Sequence, residues 1–216
     1  MKPLPFIFVV VADQVGSRGD SDRVPAALNA LGNVNAVLGF ERTAGDEIQG
    51  LLDQPATLVA VVDRLTRLGG WRIGVGAGAV DSPIPDSTRA ARGTAYLAAR
   101  AAITAARTSP TELALALPPG VRGEAYREVI DAGTDAETAL WLLRSVLGRR
   151  SQEGWELMDL LEEGMTNARA AGHLGISPSA VSQRLSRAAR PEAVRGAHLA
   201  TRLLARLQDA GTEVAR

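Results

Sequence analysis

Two groups of side chains in this sequence have the types and spacing for chemistry. The first lies in Met165–Ala188, which reads MTNARAAGHLGISPSAVSQRLSRA. Gln183 and Arg184 could read base edges there, since glutamine bonds adenine bidentately and arginine does so with guanine. Arg169, Ser177, Ser179 and Arg187 suit phosphate oxygens, and Ser182 shares their outward face. The partner expected is double-stranded DNA. The second group is acidic. Asp13 follows an apolar run, and Asp46 and Glu47 sit in the compositional turn Thr43–Glu47. Carboxylates held together repel, and a divalent cation is a common solution. Magnesium would suit them, with phosphate and water oxygens completing its shell. Free N–H groups of Gly16, Ser17 and Arg18 could cradle those phosphates. A plainer reading of the same residues makes Asp13 the cap of the following turn and Asp46 a hairpin residue.

The basic group needs a helix-turn-helix to present it, and the sequence spells one out over 165–188. Thr166 can cap a first helix by accepting a free backbone N–H. Ala171 is small enough for a helix crossing. Gly175 can take the positive φ of a tight turn. Ser177 then caps a second helix with Pro178 at its first position, where the missing N–H costs nothing. Val181 and Leu185, four apart, share the buried face and leave the polar residues outside. An ordinary helical hairpin is the competing reading. It does not require cap, small residue, glycine and second cap to fall in register.

The acidic group needs a sheet. Phe6–Ala12 reads as a buried central strand. Ser21–Leu31 has helical spacing, Val34–Arg42 reads as a second strand, and Ile48–Leu52 returns as a third across the Gly45-Asp46 turn. Pro55 starts a helix to about Leu68, Trp71–Ala77 is a fourth strand, Thr88–Ala106 is helical, and Glu112–Leu117 is a fifth strand. The first six elements have the order of a ferredoxin-like α+β domain, with helices on one face of an antiparallel sheet. This domain is expected over 1–119, followed by an all-α DNA-binding domain over 120–216.

In the second half, Val121–Ala132 and Thr134–Leu147 read as separate helices, with Thr134 as a cap. Trp155, Met158 and Leu161 share a face of a helix over 152–161 and suit a core better than a cofactor site. Pro191 starts a last helix to about Ala210. Its stripe of Leu199, Leu203, Leu204 and Leu207 could pack on the αβ domain, on the helix before the helix-turn-helix, or on a second copy. No β-hairpin wing follows Arg187. A lone helix-turn-helix reads few base pairs, so a homodimer is expected, with recognition helices ~34 Å apart.

Charge distribution agrees with DNA better than the total does. The 216 residues carry a formal net charge of zero. From Gly164 onward, eight arginines face three acids, so this segment is positive by five and the remainder negative by five. Local charge sets attraction to phosphate. The absence of cysteine excludes disulfides and thiolate chemistry, and the two histidines are too far apart for a metal-ligand spacing. The apolar run near the start is too short to span a bilayer and lacks a small-residue cleavage site. No membrane partner and a cytoplasmic location are the default expectations.

Three pieces resemble the nucleotidyl-cyclase-like superfamily of class III adenylate cyclases and diguanylate cyclases. Asp13 with Gly16-Ser17-Arg18 resembles its first metal strand and loop, and Thr43–Gly50 its metal hairpin. Arg72–Gly78 followed by Gly93–Ala101 resembles the next strand and helix. More narrowly, Ala12–Arg18 (ADQVGSR), Gly45–Gly50 (GDEIQG) and the C-terminal helix-turn-helix are similar to the SatD family, bacterial proteins of poorly defined function. The resemblance covers roughly 6–107. It implies a purine nucleotide with magnesium near Asp13, Asp46 and Glu47, and Arg100 as the family's transition-state arginine. It does not imply turnover. Tyr96 stands where adenylate cyclases carry an asparagine, and Ala44-Gly45 where diguanylate cyclases carry a double glycine. Their purine-reading lysine has no counterpart, because Lys2 is the only lysine. No catalytic residue is assigned. The expected protein is a DNA-binding regulator with a degenerate, nucleotide-sensing cyclase-like domain. Its rivals are an active cyclase with a DNA-binding tail and a ligand-free dimerisation domain fused to a helix-turn-helix.

Overall fold

Ile7–Gln14 forms strand β1, and its neighbours explain its unbroken apolar run. In the computed structural model, which describes residues 6–16 and 21–214, β1 is the middle strand and is covered on both faces. Strand β2 is Leu38–Arg42, β3 is Glu47–Leu52, β4 is Trp71–Gly78 and β5 is Leu113–Ala116. Their order is β2-β3-β1-β4-β5. β1 pairs antiparallel with β3 and β4, setting Val10 opposite Gly50 and Val75, while β5 runs parallel to β4. The architecture is mixed α+β around this five-stranded sheet.

The two faces carry different helices. Phe8, Val10 and Ala12 face helix α1 (Val24–Leu31) and helix α2 (Pro55–Leu68) through Ala27, Leu31, Leu58 and Val62. Ile7, Val9 and Val11 face helix α3 (Thr94–Ala105) through Ala95, Ala99 and Ile103. The approach of α3 is unusually close, and the sequence permits it on both sides. A Cβ at Gly76 would lie 2.1 Å from Ala99 N, and one at Gly74 would lie 2.4 Å from Ile103 N. Glycine at alternate positions of β4 therefore lets the helix backbone settle on the strand.

Helix α3 starts at Thr94, six residues after the expected Thr88. Gly93, at φ +140°, turns the chain against Ala79 and Val80. The preceding loop is tied to β2 instead: Thr88 N and Ser87 Oγ each donate to the Glu41 carboxylate at 3.0 Å. Likewise, the expected helices over 121–132 and 134–147 are one helix, α4 (Arg127–Leu147), after a short 3-10 turn at Glu124–Tyr126. Thr134 is not a cap; its hydroxyl donates back to Ile130 O at 3.0 Å. Gly133 breaks nothing, because its bare face meets Leu117.

Helix α4 also closes the sheet edge. Trp141 Nε1 donates to Leu113 O at 2.7 Å, Arg144 Nη1 donates to Glu112 O at 2.7 Å, and the Glu137 carboxylate accepts Leu115 N at 2.8 Å. A second Arg144 nitrogen donates to Trp71 O. Burial lowers the Arg144 pKa to about 10, so the guanidinium stays charged at neutral pH. An exposed strand edge invites pairing with other chains, and these three side chains occupy this one. The last helix, α8 (Arg190–Val214), buries Leu204 and Leu207 in the same core as β1, α2 and α4. That core contains residues from both sides of 119/120 and takes in Leu203, Leu204 and Leu207 of the leucine stripe, while Leu199 stays exposed.

Candidate nucleic-acid interface and a polar cleft on the sheet

Helix α5 (Gln152–Glu162), helix α6 (Asn167–Leu174) and helix α7 (Pro178–Arg187) form a three-helix unit. Thr166 Oγ1 accepts Arg169 N at 3.3 Å, and Ser177 Oγ accepts Ala180 N at 3.2 Å. Gly175 is left-handed at φ +63° between them, and Ile176 N donates back to Ala171 O at 3.0 Å. Ala170, Ala171 and Val181 pack on Leu157 and Met158 of α5 in a small core of their own. Both helix starts are capped by hydroxyls, and the turn is fixed from both ends.

Burying Val181 decides what α7 shows to solvent. Ser179, Ser182, Gln183 and Arg187 are exposed, as are Ser177 at the cap and Arg169 on α6. Several hydroxyls are already engaged: Ser177 and Ser179 are 2.9 Å apart, and Ser182 donates to Pro178 O at 3.1 Å. Gln183 makes no hydrogen bond among the described residues and is exposed to solvent. Arg184 sits differently. It is half-buried and lines a groove with Glu153 at the start of α5. Hydrogen bonds from Ser151 and the backbone, together with the Arg184 charge, hold the Glu153 carboxyl below its ordinary range. The exposed base-reading candidate is thus Gln183, with Arg184 at the flank. Ser186 is exposed on the same turn and was not singled out in the sequence.

The unit is tied to the sheet domain by charge and aromatic stacking. Arg67 of α2 makes two hydrogen bonds to Asp159 of α5, at 2.6 and 2.5 Å. Trp155 carries Arg150 at 4.2 Å and Arg67 at 5.3 Å from its ring centroid. Arg150 Nε also donates to Ala188 O at 3.0 Å, beyond the end of α7. Placing a cation over an indole ring is favourable, more so when partly desolvated. No local spacing links Arg67 to Trp155, so this joint was hidden until α2 and α5 were placed.

The second candidate region lies on the α3 face of the sheet. Asp13 is opposite Glu47 on β3 and Arg72 on β4. Arg72 and Arg107 lie 3.8 and 4.0 Å from the two Asp13 oxygens. Burial pushes the Asp13 carboxyl above its ordinary range; the two arginines oppose that shift, and Asp46 and Glu47 add to it. Asp13 Oδ1 is buried with no hydrogen-bond partner among the described residues. Glu47 accepts the Thr43 hydroxyl at 2.5 Å, and Asp46 gives its backbone carbonyl to Gln14 N at 3.3 Å. Arg100 and Glu47 line one cleft of about 250 Å3 with Gln49, Thr88, Arg89 and Tyr96. Thr88 Oγ1 accepts from Gln49 at 3.1 Å and lies 3.3 Å from the Tyr96 hydroxyl, while burial raises the Tyr96 phenol pKa. Gly16 is exposed at φ +75°; Ser17 and Arg18 lie outside the described residues.

This donor set does not fit a resident magnesium ion. One carboxylate is shared with two guanidiniums and a second is engaged by a threonine, short of the oxygen shell such an ion takes. No three His, Asp or Glu side chains among the described residues converge as a metal set. Positive charge at the end of β1 comes from arginine.

No family model and no curated protein matches the chain. Among solved structures, a regulator of polyketide synthase expression from Bifidobacterium adolescentis is similar over 99% of this chain and 83% of that chain. The identity is 13% and the TM-score 0.27, a likeness that carries no argument about this protein. Among the described residues, no helix is long and apolar enough to cross a membrane.

Proposed function

We propose that this chain is a DNA-binding transcriptional regulator in which α7 lies in the major groove. The observation that carries the reading is the outward face of α7. A doubly capped helix-turn-helix buries Val181 and leaves Gln183 exposed and unbonded, with Arg187 exposed one turn further along α7 and Arg169 exposed on α6. Gln183 would read a base edge, Arg184 would approach from the flank, and Arg169, Ser177, Ser179, Ser182 and Arg187 would meet phosphates. Two copies on a two-fold site would give the specificity that a single module lacks. Selecting duplexes from a random pool and repeating the selection with Gln183→Ala tests the assignment. The variant should lose about 1–3 kcal/mol on the preferred duplex and relax preference at one position. An unchanged binding curve and unchanged preference would remove Gln183 from the interface.

The sheet domain is the proposed sensor. Its β2-β3-β1-β4 order and antiparallel pairing support the ferredoxin-like, cyclase-like reading. The SatD resemblance rests on the same motifs. A purine nucleotide would set its phosphates against Arg89 and Arg100 in the cleft above Glu47. At about 250 Å3 the cleft is smaller than the ~300–1,000 Å3 of pockets that enclose drug-sized ligands. It would hold the phosphate and sugar and leave the base outside. Magnesium would arrive on the nucleotide, bringing phosphate and water oxygens with it. Calorimetry with a nucleotide panel, with and without magnesium, tests this part. Heat on adding a purine nucleotide, lost in Arg100→Ala, supports it. Silence across the panel removes the sensor and leaves the DNA reading intact.

A further inference from the structure

The groove beside the recognition helix has chemistry that α7 alone does not explain. It has a volume of about 670 Å3 and is lined by Arg149, Ser151, Glu153, Gly154, Arg184, Arg187 and Ala188. Three guanidiniums meet one carboxylate there, a surplus of two positive charges. Arg149 is exposed and has no ion-pair or hydrogen-bond partner among the described residues. Its position is fixed by its neighbour: Arg150 donates to Ala188 O at 3.0 Å and stacks on Trp155 at 4.2 Å. The α4–α5 linker is therefore fastened to the end of α7. Arg187 belongs both to this groove and to the exposed face of α7, so the two surfaces are continuous. The groove also takes in the start of α5, where Ser151 Oγ accepts Gly154 N at 3.2 Å.

We infer that this groove is a phosphodiester site in which Arg149 and Arg187 grip one backbone phosphate of the bound duplex. The inference rests on the DNA-binding reading and extends the interface to a linker outside the helix-turn-helix. Arg149 is a positioning residue. It fixes the register of α7 on the duplex and carries no base preference. Two features argue for a phosphate over a base edge. The lining carries a surplus of two positive charges, and Arg149 lies on the α4–α5 linker, outside the helix proposed to enter the major groove. Arg184 beside Glu153 offsets the one carboxylate that would repel the backbone.

The test uses the full chain and two duplexes, one selected by the protein from a random pool and one of unrelated sequence. Affinities are measured across a salt series for wild type, Arg149→Ala, Arg149→Lys and Arg122→Ala. Arg122 is exposed in the loop before α4 and lines no part of the groove. Arg149→Ala should weaken both duplexes by the same factor, about threefold for one phosphate contact, and flatten the salt slope by about 0.9. Arg149→Lys should restore the salt slope, because the charge is kept, and only part of the affinity, because the guanidinium fork is lost; Arg122→Ala should match wild type. Wild-type affinity and slope in Arg149→Ala would overturn the inference and leave the DNA reading standing. A loss confined to the selected duplex would make Arg149 a base reader and overturn it as well. If wild type binds neither duplex, the DNA reading itself fails.

Discussion

Gln183 and Arg184 are adjacent in sequence, yet the structure gives them different neighbours. Gln183 has solvent on its amide; Arg184 has Glu153. Sequence placed both on the outward side of α7 from the inward pair Val181 and Leu185; the structure leaves Gln183 exposed and Arg184 half-buried. Sequence did not show the first turn of α5 beside Arg184, because that contact depends on how two helices cross. A second residue-scale consequence concerns Glu137, whose carboxylate accepts Leu115 N on the edge strand. Burial raises its pKa, and the bond from Leu115 only partly offsets that. A carboxyl with a raised folded-state pKa contributes stability that is fully present below its unfolded pKa, ~4.3, and is lost as pH rises through the folded value. Glu137→Gln keeps an acceptor without the charge. Denaturant titrations should show wild type losing stability relative to Glu137→Gln as pH rises from about 3 to 7. A constant or widening wild-type advantage would contradict the burial argument.

At the scale of elements, β4 and α3 depend on each other most closely. Gly74, Gly76 and Gly78 alternate with Ile73, Val75 and Ala77, so one face of the strand is bare and the other is apolar. Gly76→Ala would force a methyl group into the α3 backbone, and overpacking of this kind costs roughly 1–3 kcal/mol or more. Thermal denaturation should show a clear loss for Gly76→Ala and little change for exposed Gly39→Ala, where a Cβ meets nothing within 4 Å. Equal melting temperatures for wild type and Gly76→Ala would refute the close approach. The strands and both helix-turn-helix caps were legible in sequence because local hydrophobic period and hydroxyl caps specify them. The unity of α4 was not. Gly133-Thr134 looks like a break followed by a cap, and only the Leu117 contact and the register of Glu137, Trp141 and Arg144 on β5 show why the helix continues. The acidic cluster was legible as a neighbourhood, but its arginine partners were not. The sequence brings Asp13 and Glu47 together, but Arg72 and Arg107 reach Asp13 from other elements.

At the scale of the molecule, the helix-turn-helix unit and the sheet domain meet through α2, α5 and the Arg67–Trp155–Arg150 stack. A nucleotide bound on the α3 face would have to act through the sheet and α2 to reach that joint. Any such coupling is reciprocal, so DNA would alter nucleotide affinity by the same factor. The sensor and the reader can fail independently, and the reader is the central claim. Its most direct measurement is selection of duplexes by the full-length protein, followed by titration of the enriched and an unrelated duplex at physiological salt. The account predicts an enriched, two-fold-related sequence bound about 10³-fold or more tightly than the unrelated one. Equal affinity for both duplexes, or no enrichment at all, would contradict it.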